Sequence, residues 1–118
     1  MKKKKRNELV IDDGEYRYVI EIVDDVICNQ REAGGGWNPP KGDQPGELVL
    51  LGTVPWFEFG RALLHETIHC AEYAEPGLEL YEGQIDRIAG YFMRLFVNSP
   101  QYLKLLTEVV NHARGSNR

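Results

Sequence analysis

Between Gln30 and Gly46 the chain reads QREAGGGWNPPKGDQPG, with five glycines and three prolines in one stretch. Proline removes backbone donors and glycine frees the backbone, so this segment sustains neither a helix nor a central strand. It reads as a long exposed loop, and it separates two stretches of different periodicity. Before it, Glu8–Asp12 and Glu15–Val23 alternate apolar and polar positions around Asp12-Asp13-Gly14, the pattern of two strands joined by a tight turn. After it, Glu47–Gly52 is short, apolar and bounded by glycine, which predicts a third strand. A loop of this length inside a compact domain often covers a binding site, although a plain connection satisfies the same composition.

Helical periodicity then takes over. Trp56–Ala74 contains no proline, and its single Gly60 costs only about 1 kcal/mol against alanine, so one helix is expected there, ended by Glu75-Pro76-Gly77. A second helix is expected over Tyr81–Val97, before Asn98-Ser99-Pro100. A third fits Gln101–Ala113, with Pro100 ahead of its first turn and Gly115 beyond its end. Strands first and helices after predict an α+β fold: a small antiparallel-type sheet, made of the N-terminal hairpin and a third strand, packed on a three-helix subdomain. A length of 118 residues suits one core. The expected domain spans 7–114, between a disordered basic tail at 1–6 and a short C-terminal tail at 115–118.

Charge narrows the function classes. The formal net charge is −4, yet Lys2, Lys3, Lys4, Lys5 and Arg6 hold five of the 14 basic residues, which leaves nine against 18 acids and a body at −9. Phosphate binding needs a clustered basic face, so nucleic acid is not the expected partner of the folded part, and only the tail would touch phosphates, weakly. No apolar run approaches the ~20 residues that cross a bilayer, and MKKKKR leads into NELVIDDGEY rather than a signal core. A cytoplasmic protein with no membrane partner is the expectation. Cys28 and Cys70 lack CxxC spacing and are expected as reduced thiols.

Within the first helix lies His65-Glu66-Thr67-Ile68-His69, the pattern HExxH. Two histidines four apart on a helix project one turn apart from one face, so both imidazoles reach a single Zn²⁺ at about 2.0–2.1 Å. The glutamate between them sits beside the metal, placed to act as the base on a zinc-bound water. At 100° per residue, Glu58, Arg61 and Glu72 lie within about 40° of the pair, while Phe59, Leu63, Ile68 and Cys70 fall in the opposite apolar arc. A composition with three histidines produces HExxH by shuffling about once in two hundred trials, which sets the pattern apart from scattered surface histidines. His112, without a partner motif, reads as a last-turn histidine favoured by the helix dipole.

A catalytic zinc site takes three protein ligands and one open position. Glu82 and Asp86, four apart at the start of the second helix, both border its core-facing side. Glu82 is the expected third ligand, with Asp86 and Glu79 in reserve; the alternative role for such acids is favourable charge at a helix start, about 0.3–1 kcal/mol without any metal.

The segment LLHETIHCAEYAEPGLELYEGQIDRIAGYF resembles the C-terminal half of the small HExxH proteins of tailed bacteriophages and prophages, minimal gluzincin-like peptidases related to ImmA/IrrE and SprT-type proteins. Those chains carry a short sheet, an LLHExxHA helix and a segment GLxLxEEQVDxLA that opens the next helix. Leu63, Leu64, His65, Glu66, His69, Gly77, Leu78, Leu80, Glu82, Gln84, Asp86 and Ala89 match in order, within a resemblance covering about Gly46–Val97. It implies a minimal zincin-like domain, a zinc ion, an acidic third ligand and a metallopeptidase-like site, in a host cytoplasm if the chain is phage-encoded. Where the family often has two consecutive acids, this chain has Glu82-Gly83.

The expected function is therefore a zinc-dependent metallopeptidase-like hydrolase of peptide or amide bonds. His65, His69 and Glu82 hold the metal, and Glu66 assists the attacking water. The strand Glu47–Gly52 would offer its edge to an extended peptide or protein substrate, and Tyr73, Tyr81 and Tyr91 are candidate oxyanion donors. Two alternatives stand beside it: a non-catalytic zinc-binding phage regulatory or assembly protein, and a deformylase-like enzyme that would take Cys28 as third ligand.

Overall fold

A computed structural model describes residues 9–24 and 35–115. The basic tail, Cys28, the first part of the Gly/Pro segment and residues 116–118 lie outside them. The elements in chain order are β1 (Leu9–Asp12), β2 (Arg17–Val23), β3 (Gly35–Asn38), β4 (Gly46–Leu51), α1 (Trp56–Ala74), α2 (Glu82–Asn98) and α3 (Pro100–Gly115). The fold is α+β, with one four-stranded sheet and three helices among the described residues.

The opening hairpin forms where alternation predicts it, with Leu9 opposite Ile20 and Asp12 opposite Arg17. Its turn is held by side chains. Asp13 Oδ1 accepts from the backbone N–H of Tyr16 at 2.7 Å and of Glu15 at 2.8 Å, Asp12 Oδ1 accepts from Gly14 N–H at 2.7 Å, and Gly14 takes φ +98°. These hydrogen bonds to the charged form hold the Asp13 carboxyl below the ordinary aspartate range.

The sheet itself differs from the expectation of an antiparallel one. Its order is β1-β2-β4-β3, and β2 and β4 run parallel, with Ile20 opposite Leu48 and Ile22 opposite Leu50. The Gly/Pro segment also carries a strand: β3 pairs antiparallel with β4, Trp37 opposite Leu48. Proline is absent from Gly35–Asn38 itself, and as an edge strand β3 needs partners on one side only. Because β4 lies between β2 and β3, it has no open edge for a peptide, contrary to the sequence reading.

Alternation puts Tyr18, Ile20, Leu48 and Leu50 on one face, where they form the core with Cys70 of α1, while Phe59, Ala62 and Leu63 pack against it. Gly46 permits the close approach of Tyr18: a Cβ there would lie 2.6 Å from the Tyr18 ring and 2.7 Å from the Asn38 carbonyl oxygen. Burial disfavours the thiolate and pushes the Cys70 thiol up.

Helix α1 has the expected bounds, and the turn after it contains Gly77 at φ +90°. Helices α2 and α3 sit within two residues of their expected limits. The side chain of Gln84 accepts from the Tyr81 N–H at 2.8 Å and caps α2. Ile85 and Ala89 are the buried residues of α2, and Gly60 leaves room for the Met93 thioether against α1. None of the described helices is long and apolar enough to cross a membrane.

Candidate metal centre

The outer face of α1 carries His65 and His69 one turn apart, with ring centroids 5.2 Å from each other. Their carrier helix is fixed by the opposite face, which is anchored on the sheet through Cys70, Phe59 and Leu63. The first residue of α2 is Glu82, and its carboxylate reaches across: Oε1 lies 3.0 Å from His65 Nε2 and Oε2 3.1 Å from His69 Nε2. One ligand atom from each of these three residues falls within 4.8 Å of the others. Ligands at about 2.0–2.2 Å in a tetrahedron stand roughly 3.4 Å apart, so the observed spacing is close to that of a zinc-sized ion.

The remaining ring nitrogens decide more. His69 Nδ1 lies 3.0 Å from Glu72 Oε1, and His65 Nδ1 lies 3.5 Å from Asp86 Oδ1. A neutral imidazole has one N–H, yet each of these rings faces carboxylates with both nitrogens. With the proton of each ring on Nδ1, facing Glu72 or Asp86, the Nε2 lone pairs would point at Glu82, an arrangement that suits a cation among them. Paired acids of this kind fix the tautomer and orientation of metal-binding histidines. Charge agrees, since Glu72, Glu82 and Asp86 all face the two histidines, and Arg61 donates from Nη2 to Asp86 Oδ2 at 2.9 Å.

The expected residues thus divide. Glu82, rather than Asp86, faces both histidines; Asp86 backs His65 and is tied to Arg61. Glu79 is exposed and outside the cluster, as is His112 on α3. Glu66 is buried, 7% exposed, next in sequence to His65. Tyr73 directs its hydroxyl to the Pro40 carbonyl oxygen at 3.5 Å, Tyr91 packs beneath Arg94, and Tyr81 stands exposed at the start of α2.

Of two further residues at the site, one escaped sequence reasoning and the other was placed on the histidine face without being given a role. Trp37 of β3 stacks on His69, centroids 5.5 Å apart and planes 27° apart. Glu72 joins His69 to the loop between α1 and α2, because its Oε2 accepts from the Leu80 N–H at 2.8 Å. Its position three residues after His69 on the same helix was the available signal. Compared with known protein families, curated proteins and solved structures, the chain matches none.

Proposed function

We propose that this protein is a zinc-dependent hydrolase of peptide or amide bonds, with His65, His69 and Glu82 as metal ligands and Glu66 as general base. The observation that carries the reading is the carboxylate of Glu82 set between two Nε2 atoms whose partner nitrogens are already turned toward acids. A zinc ion in such a place supplies Lewis acidity and lowers the pKa of a coordinated water to about 7. Glu66 takes the proton of the attacking water and returns it to the leaving amine. Glu72 and Asp86 hold the two imidazoles in the metal-binding tautomer.

Substrate fits along β3 rather than β4. Among the described residues β3 pairs on one side only, and its Trp37 lies on His69. An extended peptide added to that free edge gains main-chain hydrogen bonds and runs past the histidines.

Elemental analysis of the purified protein, beside Glu82→Ala and Glu66→Gln, tests the reading. Wild type and Glu66→Gln are expected to hold one zinc per chain and Glu82→Ala to lose it. Hydrolysis of an unstructured protein substrate should fall by about 10²–10⁴-fold in Glu66→Gln. Zinc retained by Glu82→Ala refutes the ligand set; activity retained by Glu66→Gln refutes the general base and leaves a metal site that cuts nothing by this route.

A further inference from the structure

The seam between α1 and α2 continues past the metal centre. Every fourth residue of α1 from His69 back to Phe57, and every fourth residue of α2 from Glu82 on to Arg94, meet across it. His69 and His65 face Glu82, Arg61 donates to Asp86 at 2.9 Å, and a Cβ on Gly90 would stand 3.6 Å from Arg61 Nε. Beyond them the seam opens into a cavity of about 420 Å³, lined by Phe57, Gly90, Tyr91 and three arginines, Arg61, Arg87 and Arg94. Charge there is out of balance. Three of the nine basic residues outside the N-terminal tail border this one space, in a body whose charge is −9. Asp86, the one acid on its wall, is held by Arg61, which also lies 3.7 Å from Glu58.

Arg87 and Arg94 form no ion pair with any described residue; Arg94 lies over the Tyr91 ring at 5.6 Å, and Arg61 Nε is buried without a hydrogen-bond partner. Two forked donors therefore border the cavity unpaired, and a guanidinium matches a carboxylate with two parallel hydrogen bonds. Distance says what the carboxylate belongs to. Gly90 comes eight residues after Glu82, about 12 Å along the helix, which an extended peptide covers in three to four residues. We propose that the cavity binds a carboxylate of the substrate peptide, an acidic side chain or the terminal carboxyl, three to four residues from the bond at the metal. Trp37 and β3 flank His69 at the other end of the histidine pair, which leaves the arginines to the far side of the cut bond. The role in cleavage rests on the hydrolase reading; the binding rests on the arginines alone.

Binding is measured on the full chain freed of metal by dialysis, where a carboxylate meets protein groups only. The probe is a short peptide of alternating Ser and Glu, blocked at both ends, followed through the arginine Nε–H signals in proton–nitrogen correlation spectra. Those of Arg87 and Arg94 should shift, and a blocked peptide with Gln for every Glu should leave them in place. The same Gln peptide with a free C-terminus tells a terminal carboxyl from a side chain. Arg87→Gln combined with Arg94→Gln, both exposed positions, should weaken binding at least about threefold with zinc content unchanged. Gly90→Glu, with no atom nearer than 3.6 Å to its Cβ, supplies an acid of the chain's own and should abolish binding. Mass spectrometry of an unstructured protein cut by the zinc-loaded enzyme should find a carboxylate enriched three to four residues from the cut, and the enrichment lost in the double variant. Equal shifts with the blocked Glu and Gln peptides and none from a free C-terminus, affinity kept by the double variant, or cleavage indifferent to a carboxylate at that reach overturns the proposal. A substrate left uncut beside a carboxylate-specific shift overturns the hydrolase reading and upholds the binding site.

Discussion

Glu72→Gln isolates the orienting role of an acid that keeps its shape when neutralised. The carboxylate lies 3.0 Å from His69 Nδ1 and accepts from the Leu80 N–H over 2.8 Å, and it is only 20% exposed; a neutral His69 that binds metal through Nε2 donates to it from Nδ1. A glutamine has one acceptor and one donor end. Whichever way the amide lies, one former donor now faces a donor. With its NH₂ toward His69 it favours the tautomer protonated on Nε2, the nitrogen that faces Glu82; with its oxygen toward His69 it repels the Leu80 N–H and loosens the loop that leads into Glu82. Zinc affinity should fall about 10- to 100-fold, or roughly 1.4–2.8 kcal/mol. Competition titration against a chromophoric chelator measures this, and thermal unfolding of the metal-free protein shows whether the fold has survived. Affinity within about twofold of wild type, in a folded variant, refutes the account of how His69 is held.

Other consequences are simpler to test. Gly46→Ala drives a methyl group into the Tyr18 ring and against the Asn38 carbonyl, backbone that has little room to move, and should destabilise by about 1–3 kcal/mol in urea denaturation. Asp13→Asn keeps the turn's acceptor but removes its charge. Because the folded carboxyl titrates below its unfolded value, the charge contributes above the unfolded pKa and is lost as pH falls through the folded one. Wild type should therefore exceed Asp13→Asn at pH 7 by less than about 1 kcal/mol at this exposed site, and in thermal scans the difference should shrink below the ordinary aspartate pKa and vanish once pH has fallen through the lowered folded one. Cys70, buried with its thiol pushed up, should alkylate far more slowly in the folded Cys28→Ser protein than after denaturation; equal rates would contradict its place in the core.

The helical half was legible because its signals are local. Trp56–Ala74 has no breaker inside and Glu75-Pro76-Gly77 after it, so sequence and structure share the same limits. The hairpin was legible through Asp12-Asp13-Gly14, whose side chains build the turn from neighbouring residues alone. Pairing across the chain was not. Gly35-Gly36-Trp37-Asn38 has no alternation of its own and becomes a strand against β4, and nothing in ELVLLG says that β2 will lie beside it in parallel. The site divides in the same manner. His65 and His69 declare themselves by spacing, whereas assigning Glu82 to the gap between them and Asp86 to His65 depends on how α2 crosses α1. Trp37 reaches His69 through the sheet, a relation that no local pattern encodes.

That stack also makes the protein its own optical reporter. The chain has two tryptophans, and Trp56 stands 86% exposed at the start of α1 while Trp37 lies against a histidine. In a Trp56→Phe background, the emission of a single indole would register a cation arriving on that ring. Adding metal in steps at one pH would then read the occupancy of His69 from fluorescence alone, without any substrate in hand.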